Sequence, residues 1–174
     1  MRTVTYGAAC SLDGFIAASD GSLDWLHFSK DVERVVGEYW STIDVILMGR
    51  KTWAASAGQG GAGAAAGITT YLFSRTLKES PDAGVHLVRE DAVAFVRTLK
   101  GKPGKGICLM GGGDFARSLF EADLIDEVGA NIHPILLGSG VPLFVDPGHR
   151  TKLELTECRT LDGGCVYALY RVRR

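Results

Sequence analysis

Gly111, Gly112 and Gly113 follow a short apolar run and precede Asp114 and a segment with helical spacing. Consecutive glycines allow a tight turn and let backbone N–H groups approach a ligand with no side chain in the way. The N-terminus of a helix also favours an anion, because its first N–H groups are free and its dipole is positive there. The spacing predicts a phosphate site at this turn, with Asp114 as the N-cap of the helix. The alternative is an ordinary turn.

Two other apolar runs end in groups that suit a phosphate. Because ligands of open α/β sheets bind beyond the carboxyl ends of the strands, we expect the three ends to face one ligand. A dinucleotide, whose phosphates spread over ~10 Å, would contact all of them. The match to GxGxxG at 58–63 lies in a Gly/Ala-rich stretch that does not directly follow a predicted strand, and no GxxxxGK[ST] occurs, so neither the usual Rossmann fingerprint nor a P-loop is indicated. The residues concerned are Gly49, Arg50, Lys51 and Thr52 after one run, and Ser74 and Arg75 after the other.

Strands alternate with helices through most of the chain, which predicts an α/β domain with a mostly parallel sheet. Asp162-Gly163-Gly164 separates the last two strands and predicts a final antiparallel hairpin. Residues 54–70 are rich in Gly and Ala and are interpreted as a surface loop, or alternatively as a lid. Strands are predicted at 2–10, 15–18, 44–48, 70–73, 85–88, 106–110, 125–132, 135–138, 153–160 and 165–172, and helices at 29–41, 90–99 and 114–122.

The bulk composition is that of a globular protein with one domain, residues 1–174. Of its residues 46% are hydrophobic and 22% are charged, and the net charge is −1, which argues against a nucleic-acid or membrane surface. No apolar run resembles a signal peptide or a membrane span, so a cytoplasmic location is expected. The cysteines show no CxxC spacing and the four His are scattered, so no metal site is predicted. The arginines at the C-terminus are expected to be solvated.

Five segments together resemble the dihydrofolate-reductase-like fold, and more closely the reductase domain of the bacterial riboflavin-pathway deaminase–reductase. They are SLDGFIA (11–17), GSLDWL (21–26), DVILMGRKTW (44–53), LFSRT (72–76) and LMGGGDFARSLFEADLIDEVGANIHPILLGSGVPLF (109–144). The resemblance covers nearly the whole chain. It implies a three-layer fold with helices on both faces of the central sheet. It also implies a homodimer.

The resemblance implies NADPH as the cofactor. The turn from Gly49 through Arg50 and Lys51 to Thr52 resembles the one that meets the cofactor pyrophosphate. Gly111, Gly112 and Gly113, with Asp114, resemble the second pyrophosphate turn. Ser74 and Arg75 resemble the pair that holds the adenosine 2′-phosphate, since a guanidinium can form two aligned bonds with a phosphate. Ala8 and Ala9 resemble the positions that hold the nicotinamide carboxamide.

The resemblance is less extensive for the substrate-binding residues than for the cofactor-binding residues. Asp13 is similar to an aspartate beside the substrate, although Asp-Gly is also a turn signal. Trp25 matches a tryptophan at the mouth of the substrate pocket, or else belongs to the core. Asp31 lies one residue from the acid that aids pterin protonation in dihydrofolate reductases, and is otherwise an acid favoured in the first turn of a helix. Arg34 is the nearest candidate for a missing arginine that helps to hold a ribose phosphate. Phe15 replaces the usual basic residue after SLDG.

These observations lead to the expectation of a cytoplasmic NADPH-dependent reductase that acts on a small molecule. It would resemble 5-amino-6-(5-phosphoribosylamino)uracil reductase and transfer a hydride to a C=N or C=O bond of a heterocyclic or ribosylamino substrate. The zinc-ligand pattern of the deaminase domain is missing. Two alternatives stay open: dihydrofolate reduction, and an NADPH-binding module that performs no catalysis.

Overall fold

The computed structural model describes residues 1–57, 67–145 and 150–174. In chain order the elements are β1 (Val4–Ser11), β2 (Phe15–Ala18), α1 (Lys30–Ser41), β3 (Ile43–Gly49), α2 (Arg50–Ala57), β4 (Thr69–Phe73), β5 (Val85–Val88), α3 (Ala92–Lys100), β6 (Gly106–Leu109), α4 (Gly113–Glu121), β7 (Glu127–His133), β8 (Gly140–Pro142), β9 (Lys152–Thr160) and β10 (Val166–Arg173), with a 3₁₀ turn at Asp162–Gly164. Within the described ranges, no helix is both long and apolar enough to cross a membrane.

Eight strands form one sheet in the order β5-β4-β3-β6-β1-β7-β10-β9. The first six in this order are parallel, and β10 runs antiparallel to both β7 and β9. A separate two-stranded sheet joins β2 to β8 at the carboxyl end of β1. The predicted mostly parallel sheet and its final antiparallel hairpin are both confirmed.

The central strands are covered by helices on both faces, as the α/β fold requires. In β3, Val45 and Leu47 contact the core beneath α3 and α4, whereas Ile46 and Met48 face the side chains of α1 and α2. The chain runs from β1 to β3 and β4 through α1 and α2, and it returns to β6 and β7 through α3 and α4. Connections that run in opposite directions lie on opposite faces because crossovers are right-handed. The predicted three-layer arrangement is confirmed.

Strands β1 and β7 approach each other closely at Gly7. Gly7 pairs with Gly129 in the parallel register, and a Cβ atom added at Gly7 would overlap the carbonyl oxygen of Gly129. A Cβ atom at Gly129 would instead lie 3.6 Å from Leu169 Cδ1, an ordinary van der Waals distance. The two glycines therefore have different roles: only the one at position 7 is required for the strands to pair.

A polar cluster ties the start of β1 to the end of α3. The buried ammonium of Lys100 donates hydrogen bonds to Asp126 and to the carbonyl of Leu124, at 3.0 Å. Asp126 also accepts the Val4 N–H at 2.8 Å and Arg174 at 2.9 Å. The C-terminal Arg174 is thus paired and not merely solvated as the sequence led us to expect.

Three local predictions differ from the structure. Residues 135–138 form a turn and not a strand, since the Leu137 and Gly138 N–H groups donate to the carboxylate of Asp13. The N-cap of α4 is Gly112, with no capping side chain, and Asp114 lies in the first turn. The predicted loop at 54–70 begins as helix α2, and residues 58–66, including the suggested lid, lie outside the described residues.

Substitution of Gly7 by alanine should destabilise the protein more than the same change at Gly129. The added methyl at position 7 meets a backbone oxygen that cannot move without disturbing β7, and overpacking of this kind costs about 1–3 kcal/mol. Gly129→Ala, the matched control, should change the free energy of unfolding by less than about 1 kcal/mol. Urea denaturation measures both; equal losses would contradict the close-approach argument.

Asp126→Asn should lower the free energy of unfolding at pH 7 by about 3 kcal/mol, since it leaves the buried Lys100 cation without a counter-ion. Although partial burial raises the pKa of Asp126, its bonds with Lys100, the Val4 N–H and Arg174 outweigh that effect and lower it. The stabilisation is therefore complete above the ordinary carboxyl pKa of 3.8 and is lost as the pH falls through the lower folded-state value. The gap between wild type and variant should close over that acidic range; a pH-independent gap would contradict this account.

Candidate active site

Three strand ends lie side by side at one edge of the sheet. Strands β4, β3 and β6 are neighbours and parallel, so their carboxyl ends open on the same edge. Neighbouring strands are about 4.8 Å apart, so the outer two ends are separated by roughly 10 Å. The direction in which the chain connects successive strands also reverses at this part of the sheet, and open α/β sheets bind ligands at such a reversal.

Backbone contacts join the turns after β3 and β6. The N–H of Gly49 donates to the carbonyl of Gly111 at 3.2 Å. Gly111 has a φ of +113°, a conformation that residues with a side chain rarely adopt. A Cβ atom at Gly111 or Gly112 would lie 3.8 or 3.9 Å from Thr52 Oγ1, so this hydroxyl borders the glycine turn. The two turns thus form one continuous backbone surface.

The start of α4 is held in place by a steric contact. A Cβ atom at Gly113 would overlap the side chain of Val145, so this first residue of α4 must be glycine while Val145 packs over it. The N-cap residue Gly112 carries no side chain that could accept from the first N–H groups. Those N–H groups remain available to an anion. Asp114 is exposed in the same turn, where its negative charge is favoured by the helix dipole.

The end of β4 presents Arg75 to solvent. The buried Ser74 hydroxyl accepts the N–H groups of Thr76 and Leu77, at 3.2 and 3.1 Å, which bends the chain sharply after the strand. Both lone pairs of the hydroxyl are then engaged, and its proton is left to donate to Thr76 Oγ1 or to a ligand. Arg75 projects from this turn and is exposed.

Three cations at this edge have no counter-ion within the described ranges. Arg50 and Lys51 begin α2 at the end of β3, and Arg75 follows β4. All three are exposed, and none forms an ion pair with a described residue. A cation in the first turn of a helix is opposed by the helix dipole, so Arg50 and Lys51 gain nothing there unless an anion binds. The edge is therefore a positively charged surface suited to phosphates.

A cavity of about 220 Å³ lies between the sheet and α1. Its floor consists of alternate residues from β1, β6, β7 and β10, all on one face of the sheet, and its roof is the apolar side of α1. Met110 lines the cavity and immediately precedes the glycine turn, so the cavity adjoins the positively charged edge. The lining residues are Thr5, Gly7, Ala8, Ala9, Leu26, Phe28, Val32, Val36, Tyr39, Trp40, Cys108, Met110, Gly129, Asn131, His133 and Tyr167.

None of these lining residues carries a charge near neutral pH. They include no Asp, Glu, Lys or Arg. Burial raises the pKa of Cys108 to about 11 and raises that of Tyr39 far above its ordinary value, so both stay protonated. Burial, with a smaller effect of the nearby His27, lowers the pKa of His133 and favours the neutral imidazole. A charged group would lose its hydration here with no opposite charge to compensate.

The Oδ1 atom of Asn131 is buried beside this cavity and forms no hydrogen bond with any described residue. An unsatisfied buried polar group costs about 1–3 kcal/mol, so Asn131 would gain from a ligand that supplies its partner. The Tyr39 hydroxyl, in contrast, interacts with the Cys108 thiol and the Thr5 hydroxyl. Tyr39 lies on α1 and Asn131 on β7, which places the two groups on opposite walls.

Cys165, His133 and Asn131 form a chain of contacts that resembles a thiol nucleophile with its base. The Cys165 sulfur lies 3.5 Å from His133 Nδ1, and His133 Nε2 lies 3.3 Å from the Asn131 amide. The thiol, however, is completely buried between α1 and the end of β9, and burial raises its pKa. A reactive cysteine needs an accessible thiolate. Cys165 is therefore a structural donor to His133.

Asp13, predicted beside the substrate, holds a loop. Its carboxylate accepts the N–H groups of Leu137 and Gly138, at 3.1 and 2.7 Å, and the hydroxyl of Ser11 at 2.6 Å. These three bonds, the one from Ser11 first, lower its pKa. Asp13 does not line the cavity, because the turn that it stabilises engages its oxygens.

Asp31 and Arg34 lie on the side of α1 opposite the cavity. They pair with each other at 2.9 Å, and Arg34 also contacts Glu38 at 3.1 Å. Helical periodicity explains this position, since the residues that line the cavity, such as Val32 and Tyr39, are on the other side of the helix. The structure thus does not bring the predicted acid or the predicted ribose-phosphate arginine to the cavity.

Trp25 lies behind the cavity wall and not in it. Its indole packs edge-on against His133, with ring centroids 5.5 Å apart, and its Nε1–H donates to the Ser22 carbonyl at 3.3 Å. The backbone of Ala8 and Ala9 does reach the cavity, as does Met110 before the glycine turn. Of the predicted positions, the structure therefore gathers Ala8 and Ala9 at the cavity and the other cofactor positions at the adjoining edge.

Tyr39, Asn131 and His133 line the cavity but are not among the residues expected there from the sequence. Helical spacing places Tyr39 among the apolar residues of α1, and a largely apolar ring hides its polar tip. The sequence of β7 does contain a signal for the other two residues. Gly129, Asn131 and His133 occupy every second position of a strand and therefore share one face. Two polar side chains on the face of a central strand indicate a cavity or a hydrogen-bond network.

Comparison with known proteins agrees with this arrangement. The family model of the RibD C-terminal domain matches residues 2–167. The protein YwjB of Bacillus subtilis (strain 168), which is uncharacterized, is 34% identical over 155 residues, 88% of each chain. A solved structure from Shewanella sp. PV-4, which carries a provisional riboflavin-biosynthesis name, superposes with a TM-score of 0.87 at 27% identity, covering 99% of this chain and 100% of that one.

The fold also extends to a more distant group. Dihydrofolate reductase from Enterococcus faecalis, solved with NADP(H), gives a TM-score of 0.71 at 16% identity and covers 99% of this chain and 97% of that one. At this identity the likeness concerns the fold alone. Taken with the family model and the close relative, the chain belongs to the RibD C-terminal domain family and has the dihydrofolate-reductase-like fold.

Proposed function

We propose that the protein is an NADPH-dependent oxidoreductase that transfers a hydride to a C=N or C=O bond of a small heterocyclic substrate. The observation that carries this proposal is the positively charged edge at β4, β3 and β6, directly beside an uncharged cavity. A dinucleotide also has a charged and an uncharged part. Its phosphates need cations and N–H donors, and its nicotinamide ring needs a cavity from which water is excluded.

The phosphates are assigned to the three turns. Thr52 and the N–H groups at the start of α2 and α4, with Gly111 to Gly113, would hold the pyrophosphate, and Arg50 and Lys51 would supply charge. Arg75, about 10 Å away across the strands, would hold the 2′-phosphate, with Ser74 fixing the turn that presents it. The fit rests on the free cations and on Gly111, whose φ of +113° and bare Cα leave the backbone open to a ligand.

The nicotinamide ring is assigned to the cavity side of β1, beside the backbone of Ala8 and Ala9. When bound, NADPH would supply the hydride. The chain's own contribution is to place the ring against the substrate and to exclude water with the apolar side of α1.

Dihydrofolate reduction is less well supported. It requires an acid beside the pterin, but Asp31 lies on the far side of α1 and the described cavity lining contains no carboxylate. Nucleophilic catalysis through a thiol would need an accessible thiolate, which the buried Cys165 does not provide. An NADPH-binding module without catalysis would share the edge and the cavity, and only a turnover measurement separates it from a reductase.

Arg75→Ala should weaken NADPH binding by about tenfold to a hundredfold and leave NADH binding within about twofold. A charge-assisted hydrogen bond contributes about 1.5–3 kcal/mol, and NADH lacks the phosphate that would receive it. Titration of the purified protein with each nucleotide, followed by nucleotide fluorescence, measures both affinities. The wild-type protein should prefer NADPH.

The matched control is Arg97→Ala. Arg97 is also exposed, but it lies in the last turn of α3, near the amino ends of the strands, so neither nucleotide should sense its loss. Equal losses for NADPH and NADH in Arg75→Ala would overturn the 2′-phosphate assignment. No binding of either nucleotide to the wild-type protein would overturn the proposed function.

A further inference from the structure

We propose that a second cavity, between the sheet and α4, binds a small amphipathic anion: an apolar chain or ring that ends in a carboxylate or a phosphate. This cavity, which we call the α4 cavity, has a volume of about 560 Å³ and is lined by side chains of β1, β7, α4 and the start of β9, and by residues 144–145. Its volume is typical of sites that hold small organic ligands.

The α4 cavity is separate from the cavity beneath α1. Tyr6 of β1 lines the α4 cavity, whereas the next residue, Gly7, lines the other one. Because successive residues of a strand face opposite sides of a sheet, the two cavities lie on opposite faces. Gly113 is the one described residue that the α4 cavity shares with the positively charged edge, and the Val145 side chain packs against it.

The interior of the α4 cavity is aromatic and apolar. The ring of Tyr6 lies edge-on to those of Phe120 and Phe144, with centroids 5.9 and 5.7 Å apart, and its hydroxyl already donates to the Leu143 carbonyl. Phe144 and Leu153 are 49% and 43% exposed, which is high for large apolar side chains. A ligand that covers them removes apolar surface from water, at about 25 cal/mol per Å². The interior therefore favours an apolar ligand body.

The start of β9 adds positive charge to this apolar surface. Arg150 and Lys152 line the α4 cavity, are exposed, and form no ion pair with a described residue. Arg117 of α4 also lines it and lies 3.8 Å from Glu121, an exposed pair that stabilises by less than about 1 kcal/mol. The described lining contains no Asp or Glu. An anion is thus the charge that this cavity attracts.

Thr151 marks the position of the anionic group. It lies between the two cations at the start of β9 and lines the α4 cavity, yet its buried Oγ1 forms no hydrogen bond with a described residue. A buried hydroxyl without a partner costs about 1–3 kcal/mol, and its proton can be donated to an oxygen of a ligand. Such a bond is strongest when the acceptor is ionised. The head of the ligand is therefore assigned to Thr151, with Arg150 and Lys152 on either side of it in the chain.

Octanoate, octan-1-ol and octylamine provide the test, because they share one alkyl chain and have an anionic, a neutral and a cationic head at pH 7. Each is titrated against the wild-type protein by calorimetry, below its aggregation concentration. We expect octanoate to bind at least about tenfold more tightly than octan-1-ol, and octylamine to bind most weakly. Octyl phosphate in the same titration shows which anionic head is preferred, and a preference for either anion over the alcohol supports the proposal.

Two variants locate the head of the ligand. Thr151→Val should weaken octanoate binding about fivefold or more, and the double variant Arg150→Gln/Lys152→Gln should abolish the preference for octanoate over octan-1-ol. Lys102→Gln is the matched control, since Lys102 is also an exposed cation but follows α3 and does not line the α4 cavity. Thermal melting checks that each variant is folded; if Thr151→Val unfolds, the double variant at the exposed positions decides.

The remaining outcomes distinguish this site from other uses of the same surface. Equal binding of octanoate and octan-1-ol, binding of neither, or an unchanged preference in the double variant would overturn the proposal. Displacement of octanoate by NADPH would also overturn it, because the anion would then occupy the cofactor site. Sedimentation equilibrium tests for a second copy of this chain: a dimer that excludes octanoate and that Leu153→Asp dissociates would assign the cavity to an interface instead.

Discussion

The close approach of β1 and β7 at Gly7 is the constraint on which the candidate site depends. Because a Cβ atom there would overlap the Gly129 carbonyl, the two strands can pair only with a bare Cα at position 7. This pairing aligns Ala9 with Asn131 and Ser11 with His133. It also leaves a shallow floor under α1, where larger side chains would have filled the space. The floor of the cavity therefore follows from the packing of the central strands.

Charge is divided sharply between two adjoining regions. Cations without described partners lie at the carboxyl edge, where water screens their charge until an anion binds. Within one residue of the glycine turn, at Met110, the surface becomes apolar and uncharged. The two regions need opposite surroundings: a phosphate gains from solvent-exposed cations, whereas a hydrogen bond to a neutral ring is strongest where water is absent. The sheet supports both because its strand ends form the edge and its face forms the floor.

The sequence predicted the sheet and the helices α1, α3 and α4, but not α2, because those elements depend on periodicity and on glycine turns, which are local signals. The failures came where a distant group decided the outcome. Residues 135–138 have an apolar pattern typical of a strand, but Asp13, more than a hundred residues away, takes their N–H groups. Asp31 and Arg34 were chosen by similarity of position, and a shift of one residue on a helix turns a side chain by about 100°. The polar character of the cavity could not be predicted from Asn131 alone, because the lack of a partner for its Oδ1 atom is a property of the packed structure.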